Sequence, residues 1–395
     1  MTKHLLVIGA QDSSVMKAAL DAQVTLFQVP RLVSGKQIAS AGRACVFDIE
    51  SPREAVLLAR AIHEHQPFDA VASFLDAGLL SAAHVAETLR IPGNSLEAVA
   101  TTRDKLALRK LLNDHGVSTV AFQRCDTAAD VDRFLRATAG PIVLKPASGS
   151  GSSGVSKIDC ESQIPSAFEW AKMNRHSVLI AEAYVDGPEY SVESLTRDGV
   201  HRIVAITEKY TTGAPHFIEI GHRLPAPIPQ IARQRIEDLV TRVLSLIGHR
   251  VGVAHTELRI TGTGNPVIIE TQLRQGGGQI WEMVELACGV DMIRETCAYL
   301  LGLPPSPTAK KADAAAIGFL AHQHKTVREV RNLERAAMVP GVVRVDCRLN
   351  RGQRIDALTS AKSRQGYVIA VGETPAIAWE TVQEALAEID IEWEQ

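Results

Sequence analysis

Strand-like and helix-like runs alternate through the first hundred residues, and no other pattern limits the fold of this chain more. Leu5–Ile8 is a continuous apolar run closed by Gly9-Ala10. Ser14–Leu20 has helical spacing, and Val24–Val29 and Ala44–Ile49 read as a second and a third strand. Pro52–His65 reads as a helix, because Pro52 suits a first turn and Val56, Leu57 and Ile62 give one apolar side. Ala70–Phe74 follows as a fourth strand and Leu79–Leu89 as another helix. Strands separated by helices pair in parallel, so the expected class is α/β with a parallel sheet at the N-terminal end. Gly9 through Ser14 lacks the three spaced glycines of a dinucleotide fingerprint, and Gly9 therefore reads as a structural turn.

The chain has 395 residues, 46% hydrophobic and 22% charged, which is enough for two or three domains and too apolar for disorder. Forty-two basic against 45 acidic side chains give a net charge of −3 with no long run of one sign. That balance argues against a dedicated nucleic-acid binder. Apolar stretches are short, as where Ile142–Leu144 ends at Lys145, so no membrane span is expected. Leu5–Ile8 is too short for a signal-peptide core. Cys45, Cys125, Cys160, Cys288, Cys297 and Cys347 form no Cys-x-x-Cys pair, against both a zinc site and a disulfide framework. Free thiols and a cytoplasmic location are the expectation.

Further along, Ile142–Lys145, Val155–Ile158, Val178–Ala181 and Tyr190–Leu195 read as strands. Thr102–His115, Gln230–Leu246, Ile280–Leu301 and Thr374–Ile389 read as helices, with a proline-rich linker over Leu303–Pro307. Ser148-Gly149-Ser150-Gly151-Ser152-Ser153-Gly154 interrupts two of the strands with side chains too small to build a core. Glycine lets backbone N–H groups approach an anion closely, and the hydroxyls can donate as well. No Gly-Lys-[Ser/Thr] follows, so this is not a Walker loop. Lys145, ending an apolar strand just before it, needs a partner for its charge, and phosphate is an obvious one.

Val251–Ile260 and Pro266–Leu273 read as a hairpin around residues 261–265. The positions of Glu257 and Glu270 are symmetric about that turn, so the two carboxylates should face each other across the strands. Like charges directly opposite are destabilising, and a shared divalent cation or a shared proton reconciles them. Period-2 alternation adds His255 on the face of Glu257, and Gln272 and Arg274 on the face of Glu270. Arg274 then runs into Gln275-Gly276-Gly277-Gly278-Gln279 before a helix, an arrangement suited to an anion. Glu182-Ala183-Tyr184-Val185 precedes a strand carrying Glu189, Ser191 and Glu193 on one face. Its free backbone groups could meet an adenine edge, with a nearby carboxylate for ribose hydroxyls.

In this order the segments resemble the ATP-grasp superfamily. Thr102-Arg103-Asp104-Lys105 resembles its first nucleotide-lysine segment, and Ile142–Pro146 with Lys145 the second. Ser148–Gly154 resembles the lid loop, Glu182–Val185 the adenine hinge and Gly187-Pro188-Glu189 the ribose segment. Glu257 and Glu270 match the metal carboxylates, and Arg274 the arginine of the Glu-x-Asn-x-Arg motif. Gln272 stands where that motif has asparagine, and is carried as a third metal candidate. Within the superfamily the chain looks most like the L-amino-acid ligases, by its length, by His222-Arg223 after Glu219, and by Gly366–Ala370 with Gly372–Pro375.

The resemblance implies an ATP-grasp fold in three parts: a Rossmann-like parallel-sheet domain over 1–100, an ATP-grasp core over 101–302 with a mobile lid at about 118–186, and a C-terminal α+β subdomain over 303–395. It implies ATP and Mg²⁺, or Mn²⁺, as cofactors, with Lys105, Lys145, Ser148–Gly154, Glu182–Val185 and Glu189 holding the nucleotide. Arg274, His222, Gly276 and Gly277 would serve catalysis. The implied activity joins the carboxylate of one amino acid to the amine of a second through an acyl phosphate, releasing ADP and phosphate. Alternatives are a ligase acting on another carboxylate and a non-amino-acid amine, or a nucleotide-binding sensor without turnover. Small amino acids are the expected partners, and a homodimer is compatible with the family.

Overall fold

The computed structural model describes residues 2–172, 178–305 and 308–394, so part of the expected 303–307 linker lies outside the described residues. The N-terminal sheet is parallel, in the order Arg43–Val46, Gln23–Gln28, His4–Ile8, Ala70–Ala72. Leu5 to Ile8 are all fully buried, as expected of a strand covered on both faces. Leu5 and Val7 pack with Ile293, Cys297 and Leu300 of the helix Met292–Leu300. Leu6 and Ile8 pack with Ala55 and Ala59 of Pro52–His65 and with Ala82 and Val85 of Asp76–Leu89. One strand therefore fastens the N-terminal sheet to the rest of the molecule on one face and to its own helices on the other.

A second sheet of four antiparallel strands has the order Phe122–Cys125, Leu179–Ala183, Ile142–Pro146, Ser156–Ile158. Two helices absent from the sequence reading, Ala128–Ala137 and Ile164–Lys172, close its core around Phe134, Leu144 and Phe168. Thr127 and Asp130 form a capping box at the start of the first, with each side chain accepting from the other's backbone N–H.

The largest sheet has eight antiparallel strands. Its order is Pro266–Gln272, Val251–Ile260, Glu189–Arg197, Val200–Thr211, Glu219–Leu224, Ala314–Leu320, Gly366–Gly372, Val342–Cys347. The last three come from the C-terminal quarter, so that region continues the central sheet edge to edge. Lys325–Arg331, Arg354–Ile355 and Asp390–Trp393 form a small sheet beside it.

Two expected helices are broken. Thr102–His115 is two helices, Leu96–Arg103 and Lys105–Asp114, because Asp104 leaves helical geometry and caps the second through the N–H groups of Leu106 and Ala107. Ile280–Leu301 is Ile280–Cys288 and Met292–Leu300, separated where Gly289 takes a left-handed conformation. Among the described residues no helix is long and apolar enough to cross a membrane.

Candidate active site

The hairpin forms in the expected register. His255 faces Gln272, Thr256 faces Thr271, and Glu257 faces Glu270 before a bulge shifts the pairing at Leu258. The two carboxylates lie where two cavities meet. The smaller, about 110 Å³, is enclosed by Lys105, Lys145, the Ser148–Ser153 loop and the 182–185 segment. The larger, about 1720 Å³, opens between the N-terminal sheet, the 274–280 loop and the C-terminal residues 360–364. Glu257, Glu270, Glu219 and the start of the glycine-rich loop border both.

Lys105 is the first residue of its helix. Its Nζ donates to the Gly149 carbonyl at 3.0 Å and pairs with Glu270 at 3.1 Å. Lys145 lies 2.5 Å from Glu182, whose other oxygen accepts from Arg109 at 2.6 Å. The charge of Lys145 thus has a protein partner, where the sequence pointed to phosphate. Burial opposes ionisation of Glu182, but Lys145 and Arg109 outweigh it and hold the carboxyl at about 2.

The 182–185 segment is more committed than its sequence suggests. The Glu182 side chain is buried in that ion pair. The N–H groups of Ala183 and Tyr184 donate to Ala121 and Pro141, and the Val185 carbonyl accepts from Arg259 at 3.0 Å. The Val185 N–H has no acceptor among the described residues. The Tyr184 ring lies between Lys157 and Arg259, 4.8 and 5.1 Å from its centroid.

Lys209, not singled out from the sequence, lies at the centre of the charge network. Its Nζ is 2.8 Å from Glu189, 3.0 Å from Glu219 and 2.7 Å from Glu257. Burial disfavours its charge, yet the three carboxylates raise its pKa well above the ordinary lysine value. Glu219 is held at about 2 against burial, by Lys209 first. Glu257 lies well below the ordinary carboxylate range against burial, through Lys209 and His255. Glu189 also accepts from Arg259 at 2.9 and 3.1 Å. Lys209 follows its apolar run Ile203–Ile206 only after Thr207-Glu208 and precedes no glycine-rich loop, so the sequence carries no signal like that of Lys145.

Two expected catalytic groups, Gly276 and His222, are placed differently from the expectation. The Gly276 N–H donates to Glu193 Oε2 at 3.1 Å, so it does not face the cavity as a free donor. The N–H groups of Gly277 and Gly278 have no intramolecular acceptor among the described residues. His222 is fully buried and does not line the larger cavity, because Gly278 covers it. A Cβ at position 278 would lie 2.9 Å from His222 Nε2. Burial lowers the His222 pKa to about 4, and neither ring nitrogen has a hydrogen-bond partner. Gln272 is also buried, with its Oε1 unpartnered. Arg274 borders the cavity and pairs with Asp76 of the N-terminal sheet domain at 2.9 Å. Trp281 lines the same cavity, whereas Met283 is buried in the core.

The C-terminal region reaches the site as well. The Ala361 N–H donates to the Gly151 carbonyl at 3.0 Å, while Ser152 Oγ donates to the Phe217 carbonyl at 3.0 Å. Arg364 lies 3.5 Å from Glu219 and stacks over Phe319, 3.5 Å from the ring centroid.

Residues 138–282 match the family described as ATP-grasp domain, 17–93 match ATP-grasp N-terminal domain, and 319–394 match L-amino acid ligase C-terminal domain 2. An uncharacterized protein of Sinorhizobium fredii is 30% identical over 332 residues, covering 80% of this chain and 68% of its own length. The chain belongs to the ATP-grasp family. Other ATP-grasp relatives match over shorter spans. A D-alanine–D-alanine ligase of Cupriavidus metallidurans is 28% identical over 52% of this chain and 65% of its own. An alanine–anticapsin ligase of Bacillus subtilis is 24% identical over 57% of this chain and 52% of its own. The crystal structure of an L-amino acid ligase from Bacillus licheniformis shares the fold with a TM-score of 0.86, at 23% identity over 100% of this chain and 99% of that one. The biotin carboxylase domain of the 2-oxoglutarate carboxylase of Hydrogenobacter thermophilus does so with a TM-score of 0.73 at 16% identity, over 100% of this chain and 92% of that one. It was solved as a dimer with magnesium ADP and bicarbonate. ATP-grasp enzymes of this kind use ATP with a divalent metal.

Proposed function

We propose that this chain is an ATP-dependent carboxylate–amine ligase that joins the carboxylate of one amino acid to the amine of another. The observation that carries the reading is the opposed pair Glu257 and Glu270, with Arg274 beyond it, at the junction of the lysine- and glycine-lined cavity and a larger one. In this reading ATP occupies the smaller cavity, its phosphates against Lys105, Lys145 and the 148–154 loop, and its adenine against the Val185 N–H. Glu189 is the ribose carboxylate, and the substrates fill the larger cavity.

The donor set fits a hard divalent cation, Mg²⁺ or Mn²⁺. Two carboxylates face each other, and the Oε1 of Gln272 lies unpartnered on the same strand face. Among the described residues no three or more acidic, histidine or cysteine side chains could hold a metal unaided. The remaining ligands would be phosphate oxygens and water, the usual company of Mg²⁺. When bound, such an ion would offset the negative charge of the phosphates.

The protein's part is positioning and electrostatics. Lys105 and Lys145 hold the phosphates while a substrate carboxylate attacks the γ-phosphorus, giving an acyl phosphate and ADP. The guanidinium of Arg274 and the N–H groups of Gly277 and Gly278 stabilise the tetrahedral oxyanion as the amine displaces phosphate. The glycine-rich loop shields the acyl phosphate from water.

The volume of the second cavity favours one other reading, in which the amine is bulkier than an amino acid. One screen separates them. The chain is incubated with ATP, Mg²⁺ and a panel of amino-acid pairs and larger amines, released phosphate is followed, and products are identified by mass. A dipeptide with ADP supports the first reading. Condensation only with larger amines supports the second. AMP with pyrophosphate, or ADP without any condensed product, overturns both.

A further inference from the structure

We propose that Glu193 and His255 form a buried brace that locks the 276–278 loop to the carboxylate of Glu257, making both of them positioning residues. The proposal rests on the ligase reading only for what the brace serves. Glu193 lies mid-strand in Glu189–Arg197 and is fully buried. A carboxylate in that position is costly unless its oxygens are satisfied, and both are. Oε2 accepts from the Gly276 N–H at 3.1 Å, and Oε1 bonds His255 Nδ1. The other ring nitrogen of His255 lies 3.2 Å from Glu257 Oε1. Glu193 and His255 face each other directly in the strand register, so neither relies on a mobile loop.

The loop rests on this pair without slack. A Cβ at position 276 would lie 2.8 Å from Glu193 Oε1 and 2.9 Å from His255 Nδ1. The residue next to the unpartnered Gly277 and Gly278 amides is thus pinned by the same two side chains that touch Glu257. Nucleotide-side and acyl-side groups are set relative to each other by three contacts, and a misplacement of about 1 Å in such a site can cost about a hundredfold in rate.

Glu193→Leu keeps about the same volume but accepts no hydrogen bond, so both of its contacts are lost. In the full chain, hydrogen exchange over residues 274–282 should accelerate about tenfold or more, while exchange over the buried strand His4–Ile8 stays unchanged. Calorimetry with a non-hydrolysable ATP analogue and Mg²⁺ should give an affinity within about threefold of wild type, and kcat should fall about 10- to 100-fold with KM for ATP nearly constant. His255→Asn, which leaves the Glu193–Gly276 bond in place, should leave loop exchange near the wild-type rate and still lower kcat. Wild-type loop exchange in Glu193→Leu overturns the brace, as does loosening of the loop with kcat unchanged. If no substrate pair is turned over, the ligase reading fails alone, and the exchange and calorimetry still decide whether the brace exists. Should Glu193→Leu not fold, His255→Asn decides: unaltered kcat and nucleotide affinity there overturn the proposal.

Discussion

Arg274 and Asp76 are joined at 2.9 Å, a bond that runs from the loop beside the opposed carboxylates to the first turn of a helix in the N-terminal sheet domain. The same carboxylate accepts from Arg103 at 2.8 Å. Burial opposes ionisation of Asp76, but Arg274 overcomes it and keeps the carboxyl below its usual range. Asp76→Asn should therefore release Arg274 from its orientation. A bond to a charged partner is worth about 1.5–3 kcal/mol, and the urea midpoint should fall accordingly. Ligation should fall further than nucleotide binding, and an unaltered kcat would show that Arg274 is oriented without Asp76.

Glu270→Gln is expected to abolish ADP formation. From the sequence, relief of repulsion between two carboxylates suggests a melting temperature that holds or rises. The structure reverses that sign, because Lys105 bonds Glu270 and Lys209 bonds Glu257. Removing the charge of Glu270 leaves Lys105 short of a partner, and stability should drop by about 1–3 kcal/mol. Scanning calorimetry of the nucleotide-free protein checks it.

Lys145→Ala removes one of the two cations that hold Glu182 ionised in a buried position. Breaking such a pair costs about 3–5 kcal/mol, so Tm should fall clearly. Affinity for an ATP analogue should weaken as well, and KM for the amine should not. Lys145→Ala with unchanged nucleotide affinity would confine Lys145 to a structural role.

His222 makes stability depend on pH. Its pKa is lowered by burial from 6.5 to about 4 in the folded chain. Between those values the unfolded chain binds a proton that the folded chain does not, so stability is full above 6.5 and is lost as pH falls towards 4. The whole effect is roughly 3 kcal/mol. His222→Gln should flatten the profile of urea midpoints across that window, and a variant with the wild-type slope would assign the effect to another group, such as His249, which is held similarly low.

What the sequence disclosed was local. The Glu257–Glu270 pairing followed from symmetry about a short turn, and the parallel strands from uninterrupted apolar runs such as Leu5–Ile8. The strands Val200–Thr211 and Glu219–Leu224 escaped the reading because Lys209, Glu219 and His222 look like solvent-facing residues when their partners are unknown. Those partners are far away in the chain: Lys209 meets Glu257 from 48 residues off. Remoteness in the chain also hid the Glu182 that partners Lys145 and the Glu193 that takes up the Gly276 N–H from 83 residues off. Asp104 hid a helix break because the apolar spacing continues across it, and the cap becomes visible only from its bonds to the next turn.

The hydrogen bond from Ala361 to Gly151 gives the C-terminal residues a stake in how the glycine-rich loop behaves. Anything that shifts the 360–364 segment alters the surface on which that loop comes to rest. A chimaera carrying the C-terminal quarter of a relative should therefore change hydrogen exchange over residues 148–154, even with the loop's own sequence kept. Removing residues 360–364 would likewise take away the donor that the Gly151 carbonyl now has.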